Sequence, residues 1–436
     1  MKYISTHGNS PAVSLYEAIL HSSAPDGGVY IPETLPLLPE AFFNNVIEMS
    51  PAEIAYVLAD RLFGDILDSS TLKTIVDSSI NFPIITKNIA PDIHVLELFH
   101  GPTLAFKDFG AAFMARFIEH SPSLAPGRKL DIIVSTSGNT GSAIANAFAG
   151  ISRAEVFILF PPNSCNRSLE RQFTTLGGNI HPIEVQGTID DCYRLARQAL
   201  SDKSLNTSRE IVSANSTNIL RLLPQTFYYF IGMAQLAAKG IDPRNVVISL
   251  PCGNFGNLCG AVMAQRMGLP MKRIVACENA NCTLAHAFET GRFERRSSIP
   301  TLAYATDKGR PSNHERLMRI FNNDTDAMRR LIVPHVADDR TIIDTVNSCL
   351  EENRYLLDPH SAMAYDGIRK NLSKGETGLV ICTAHPAKSV ATMAAITGRA
   401  LDLPLQLNAF MGGRDHRVRI APDYKEFKSL LKAIRK

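Results

Sequence analysis

From about residue 128 onward the chain alternates short apolar runs with glycine-containing turns and amphipathic helices. The runs DIIV at 131–134, EVFILF at 155–160, IHPIEV at 180–185, VVISL at 246–250, RIVA at 273–276 and GLVIC at 378–382 read as buried strands. Apolar residues at helical spacing follow most of them, at 141–149, 168–176, 190–200, 257–267 and 387–397. Parallel strands need a crossover between them, usually a helix, so this alternation implies a mainly parallel sheet covered on both faces. The series breaks near 239–243, which predicts two α/β lobes facing a cleft, 96–240 and 241–436. Residues 1–95 predict a separate, mostly helical region, with helices at 14–20, 51–63 and 71–80 and turn chemistry at 24–28 and at Pro32, Pro36 and Pro39.

Composition narrows the function classes. Hydrophobic residues are 45% and charged residues 20% of the 436, ample for a large core. Lys plus Arg number 45 against 42 Asp plus Glu, a net +3 that points to neither nucleic acid nor an anionic membrane as partner. No apolar stretch nears the ~18–20 residues of a transmembrane helix, and residues 1–11 carry no signal-like apolar region. The eight cysteines are scattered without C-x-x-C, so the expectation is a soluble protein of a reducing compartment, the cytoplasm. Nucleophile-elbow, phosphate-loop and H-E-x-x-H signatures are missing, and His94 and His100 lack zinc-like partners, so no metal is expected.

Four segments carry chemistry. In LFHGPTLAFKDFGAAF at 98–113, Phe106, Phe109, Phe113 and Phe117 fall on one helical stripe and Lys107 stands near the helix start. A helix N-terminus and an apolar face both disfavour an ammonium, as a Schiff-base lysine requires, although most such lysines simply reach to water. STSGNTG at 135–141 follows a strand and opens a helix, so its free N–H groups can bind a carboxylate or phosphate or merely cap a turn. PCGNFGN at 251–257 repeats that arrangement. A dinucleotide could use it: the glycines Gly253, Gly256 and Gly260 are not spaced G-x-G-x-x-G, but Glu278 follows a strand about 20 residues on, where a ribose-binding acid sits. That keeps an NAD-linked oxidoreductase open, beside a catalytically silent binding protein. GLVICTAHPAK at 378–388 places Thr383 and His385 at a fourth strand end.

Together these segments resemble the threonine synthases of the bacterial and fungal subtype, among the fold-type-II pyridoxal-phosphate enzymes. ELFHGPTLAFKD at 97–108 is similar to that family's lysine motif. TLGGNI at 175–180, SANS at 213–216, GNFG at 253–256, LDPH at 357–360 and TAHPAK at 383–388 also fit, as do Tyr3, Ser5, Thr6, Ser14, 24–28 and 31–33 at the start. The resemblance implies two parallel-sheet α/β lobes of the tryptophan synthase beta-like kind, plus the N-terminal region. It implies pyridoxal 5'-phosphate joined to Lys107, its phosphate on Gly253, Asn254, Phe255, Gly256 and Asn257, its pyridine nitrogen at Thr383 and its phenolic oxygen at Asn139. Thr136, Ser137 and Thr140 would receive the carboxylate of a small amino-acid substrate, with Ser216, Asn313 and Arg316 as further substrate contacts. The implied reaction turns O-phospho-L-homoserine and water into L-threonine and phosphate, in a monomer or homodimer.

Three departures from the family pattern bear on substrate choice. Asn139 stands for the usual Asp of S-G-D-T-G, as in cysteine synthase. In PNSCNRSLE at 162–170, Ser164 takes the place of a usual Lys and Asn166 that of a usual Ser. YATDKG at 304–309 replaces an N-A-M-D-V-G-like stretch, with Ser312, Asn313 and Arg316 kept. Loss of a lysine weakens a phosphate site, for which Arg167, Lys308 or Arg310 are candidate compensations. A divergent enzyme of specialised metabolism, performing elimination or replacement on another activated amino acid, remains the alternative reading.

Overall fold

Strands whose residues are buried on both faces form the inner layers of the structure, a computed structural model that describes residues 1–205 and 209–434. Strand β1 (Tyr3–Ser5) pairs antiparallel with β2 (Tyr30–Pro32). The other strands are β3 (Ile85–Ala90), β4 (Ile93–Glu97), β5 (Lys129–Ser135), β6 (Ala154–Phe160), β7 (Ile180–Val185), β8 (Arg209–Ser213), β9 (Val246–Pro251), β10 (Arg273–Glu278), β11 (Ile332–Val336), β12 (Thr377–Cys382) and β13 (Val418–Ile420). They form a six-stranded sheet, β11-β10-β9-β12-β4-β3, and a five-stranded sheet, β13-β7-β6-β5-β8. Every neighbouring pair in these two sheets is parallel except β3 against β4. All six runs expected from the sequence are strands, and the expected pair of α/β lobes is what the sheets form.

Sheet membership does not follow the expected spans 1–95, 96–240 and 241–436. β3 and β4 extend the six-stranded sheet, where Leu96 pairs with Ile381, and β13 joins the five-stranded sheet beside β7. The reason is the same at both places: a sheet edge left open by its own lobe is completed by a segment distant in sequence.

Local chemistry fixes the N-terminal helices. Ser14 and Ser50 close reciprocal capping boxes with Glu17 and Glu53, and Pro51 occupies the first helical position of Pro51–Phe63. This region shares one hydrophobic core with both lobes rather than folding on its own. Phe63 packs on Phe113 and Phe117 with ring centres 5.1 and 5.7 Å apart, Phe82 on Phe109 at 4.7 Å, and Phe113 on Phe227 at 5.6 Å. These rings anchor the helix Lys107–His120. Polar ties reinforce the seam: the Asn218 amide donates to the carbonyls of Ile19 and Ser213, both at 2.9 Å.

The seam predicts that Phe113→Ala destabilises the protein by about 3–5 kcal/mol in urea denaturation, the usual cost of deleting a buried phenyl group. A loss below about 1 kcal/mol would show that the helix is held by something else.

Candidate active site

Five parallel strands, β4, β5, β8, β9 and β12, end at one cleft, where open α/β sheets bind ligands. After β4 the chain runs through 98–106 to the start of the Lys107 helix. Antiparallel contact of Ala105 with Ala384 locks this segment to the end of β12, with Phe106 N–H donating to Thr383 carbonyl at 2.9 Å and His385 N–H to Leu104 carbonyl at 3.0 Å. Buried Asp108 accepts from the Thr103 N–H (2.9 Å) and hydroxyl (2.6 Å), and the Lys388 ammonium donates to the Thr103 carbonyl. A Cβ on Gly101 would lie 2.6 Å from Asp108 Oδ2, so only glycine lets the loop close over that carboxylate.

So held, Lys107 lines the cleft with Nζ over the Phe106 ring, 4.7 Å from its centre. The ammonium has no hydrogen bond or ion pair among the described residues. Burial, followed by the nearby charges of Arg221, Lys308 and Lys388, lowers its pKa to about 7.

Two sets of open N–H groups face the same cleft. In the turn after β5, the Thr136 hydroxyl accepts from Gly138 N–H (2.9 Å) and Gly141 N–H (3.0 Å), while the N–H groups of Ser137, Asn139 and Thr140 find no partner among the described residues. Gly138 has φ 133°, and a Cβ there would meet Cys165 Cβ at 2.9 Å. In the turn after β9, Phe255 takes a left-handed conformation (φ 59°) and opens the helix Gly256–Arg266. No N–H from Gly253 to Asn257 has a partner among the described residues, so one turn lining the cleft leaves five donors open. Gly253 is required by close approach, its Cβ position lying 2.6 Å from Thr306 Cα.

Side chains complete the walls. Asn257 Oδ1 accepts from the hydroxyls of Tyr228 (2.7 Å) and Tyr229 (2.5 Å), which leaves Nδ2 buried without a partner. Asn139 Nδ2 donates to the Tyr304 hydroxyl at 3.2 Å, and its Oδ1 is likewise buried and unpartnered. Thr383 is buried at the cleft with a hydroxyl that makes no hydrogen bond among the described residues. Ser216 also lines the cleft, its Oγ accepting from Asn254 Nδ2 at 2.6 Å. Unpaired buried polar atoms are costly, so atoms of this kind gathered at one cavity point to a polar ligand.

Two expected substrate contacts are elsewhere. Arg316 is fully buried beneath the cradle, donating to the carbonyls of Tyr30 (2.9 Å), Ser216 (3.0 Å) and Thr217 (2.5 Å) and to Asn313 Oδ1 (2.7 Å). Asn313 in turn donates to the Asn254 carbonyl at 2.9 Å. Neither lines the cleft; with their donors spent on carbonyls, they hold Asn254 and β2 in place instead. Arg167 and Arg310 are exposed and outside the cleft wall, whereas Lys308 lines it. Asn166 caps the helix Arg167–Thr174 and donates to the Lys388 carbonyl, and Ser164 lies outside the cleft lining. The acid needed for a dinucleotide, Glu278, accepts from the N–H groups of Leu284 and Ala285 at the start of another helix, so that reading fails. Sequence reasoning missed the cleft residues Arg221, His360 and Tyr193, and saw Tyr304 only as a departure. His360 has one faint signal, the motif LDPH, but nothing local shows that its Nε2 accepts from Ala305 N–H at 3.2 Å.

The lowered pKa makes a kinetic prediction. The neutral amine is the nucleophile, and it gains population as pH rises through the folded pKa. Acylation of Lys107 in cofactor-free protein should therefore rise through a midpoint near pH 7, read by peptide mass mapping across pH. A midpoint near the ordinary lysine value of ~10.4 would contradict the site's electrostatics.

Comparison with known proteins agrees with the geometry. A family model described as pyridoxal-phosphate dependent enzyme matches residues 80–384, and one described as threonine synthase N terminus matches residues 2–80. The chain is 37% identical over 396 residues to threonine synthase of Haemophilus influenzae, covering 91% of each chain. Among solved structures, it is similar to threonine synthase from Escherichia coli (TM-score 0.91, 33% identity, 100% of both chains). It is also similar to the pyridoxal-phosphate-bound threonine synthase from Brucella melitensis (TM-score 0.92, 29% identity, 99% of both chains). An amine of lowered pKa, two open amide nests and these matches over nearly the whole chain lead to one conclusion: the chain belongs to the threonine synthase family of pyridoxal-phosphate-dependent enzymes.

Proposed function

We propose that this chain converts O-phospho-L-homoserine and water to L-threonine and phosphate. The observation that carries the reading is the meeting of the Lys107 amine with two sets of unpartnered N–H groups in one cleft of a threonine synthase family member. A cofactor with one phosphate and an amino acid with one carboxylate use both sets. The residues suit pyridoxal phosphate: Lys107 would bind it covalently, the Gly253–Asn257 amides and the orphaned Asn257 Nδ2 would take its phosphate, Thr383 its ring nitrogen and Asn139 its phenolic oxygen. With a hydroxyl rather than an acid at that position, Thr383 would favour a neutral ring nitrogen.

When bound, pyridoxal phosphate withdraws electrons from the amino acid's α-carbon, so that bonds at its neighbouring carbons can break and form. The remaining work falls to the chain's own side chains. The open amides of Ser137, Asn139 and Thr140, with the hydroxyls of Thr136, Ser137 and Thr140, would fix the substrate carboxylate and thereby the orientation of its α-carbon. Lys107, with a pKa near 7, both accepts and returns protons at neutral pH, and would move them among Cα, Cβ and Cγ. Across the reaction the Cγ–O bond breaks and phosphate leaves, Cβ loses one hydrogen as a proton and gains the hydroxyl of water, and Cγ gains a proton to become the methyl group. Ser216 stands at the wall where the substrate side chain would lie.

No helix among the described residues is long and apolar enough to cross a membrane. All eight cysteines are free, which supports a cytoplasmic location, where thiols stay reduced. The enzyme would act there as a monomer or homodimer on its small-molecule substrate.

Purified holoenzyme should release one phosphate per threonine from O-phospho-L-homoserine, and Lys107→Ala should lower turnover by at least about 1,000-fold, as expected when a covalent anchor is lost. Wild-type enzyme that releases no phosphate from this substrate, but reacts with acylated homoserines, would assign the chain to a divergent member of the family.

A further inference from the structure

The cleft offers amide cradles for two anions, yet the substrate proposed above brings a third, its own phosphate dianion. Cations near the cleft are few, and most are committed. Lys388 donates to the Thr103 carbonyl. Arg221 also lines the cleft, but it is buried in the wall, held by Nη1 donating to the Ala214 carbonyl at 2.6 Å and lying in the field of Asp108, with its Nε left without a partner among the described residues. Arg316 is spent on four oxygen acceptors. Lys107 is reserved for the cofactor.

Lys308 differs from all of these. Its backbone segment is pinned at almost every residue. Ala305 N–H donates to His360 Nε2 at 3.2 Å, and the Thr306 hydroxyl to the Ala303 carbonyl at 2.7 Å. Asp307 accepts from Asn279 Nδ2 and from the Thr301 hydroxyl, both at 2.7 Å, and the Lys308 carbonyl accepts from the Thr283 hydroxyl at 3.0 Å. Gly309 N–H donates to Ser298 Oγ at 2.9 Å, and a Cβ there would strike the Arg296 carbonyl. Against this fixed frame the half-buried Lys308 ammonium has neither hydrogen bond nor ion pair among the described residues. It lines the same cleft as Lys107 and is near enough to influence that amine's charge. The charges that act on it are those of its neighbour Asp307 and of Asp190, in the first turn of the helix Ile189–Ser201 on the other lobe.

We propose that Lys308 binds the phosphate of the substrate and so sets the preference for a phosphorylated over an unphosphorylated amino acid. This rests on the reading under Proposed function. A lysine acts as a compact point charge, suited to a dianion that must leave as product, and it takes the part of the basic residue absent at Ser164.

The test uses holoenzyme and two probes read through the absorption of the bound cofactor. One is L-2-amino-5-phosphonopentanoate, in which a methylene replaces the ester oxygen; the other is L-norvaline, the same chain without the phosphonate. Lys308→Met should weaken the phosphonate by about tenfold or more, the range of a charged hydrogen bond, and leave norvaline within about twofold. Lys308→Arg should restore most of the preference, and Lys308→Gln replaces the Met variant if that one fails to load cofactor. An unchanged ratio of the two affinities, or equal weakening of both, overturns the assignment. Wild-type turnover of O-phospho-L-homoserine, measured in parallel, judges the proposed reaction separately, because the affinity ratio needs no turnover.

Discussion

Lys107 stands where an ammonium is disfavoured twice: it is buried in the wall of the cleft, and Arg221, Lys308 and Lys388 add like charge around it. The adjacent acid, Asp108, offers no relief, since both its oxygens are engaged by Thr103. Two nests of unpartnered N–H groups add to the positive potential. Such a cavity is out of balance until anions enter it. A phosphate-bearing aldehyde and a substrate with a carboxylate would supply them, and the same field that lowers the amine's pKa would orient both.

The parallel sheets are what bring these pieces together. Each strand of β4, β5, β8, β9 and β12 delivers a loop at its carboxyl end, and the two sheets turn those ends towards one cleft. The antiparallel contact of Ala105 with Ala384 ties the lysine segment to the segment carrying Thr383, so the groups expected to grip opposite parts of one ring are set by a single pair of backbone bonds. Two departures from the family pattern, Asn139 and Tyr304, touch each other across this cleft. They are one local change in the wall rather than two, and Tyr304 is seated edge-on against His360 with ring centres 5.5 Å apart.

What could be read from the sequence follows burial. The strands recognised in advance, β5, β6, β7, β9, β10 and β12, are inner strands whose residues are covered on both faces. Of the missed strands in the two large sheets, β3, β8, β11 and β13 are the four edges, while β1 and β2, also missed, are three-residue strands of a separate pair. Edges are short or half-exposed, and β11 even accommodates Pro334, which a ladder tolerates at its rim. β4 is the exception: an inner strand disguised by His94 and Glu97, the latter buried through bonds to His100 and Tyr355. The site divides in the same way. Lys107 and both nests are built from consecutive residues and announce themselves locally, whereas Arg316 looks like a substrate ligand until its distant carbonyl partners are seen.

Every role assigned in this cleft depends on Lys107 being the residue that carries the cofactor. Borohydride reduction of the holoenzyme, followed by digestion and mass mapping, tests this directly. The added pyridoxyl phosphate mass should fall on the peptide containing Lys107 and on no other. Label on Lys308 or Lys388, or none at all, would contradict the placement of the cofactor in this cleft.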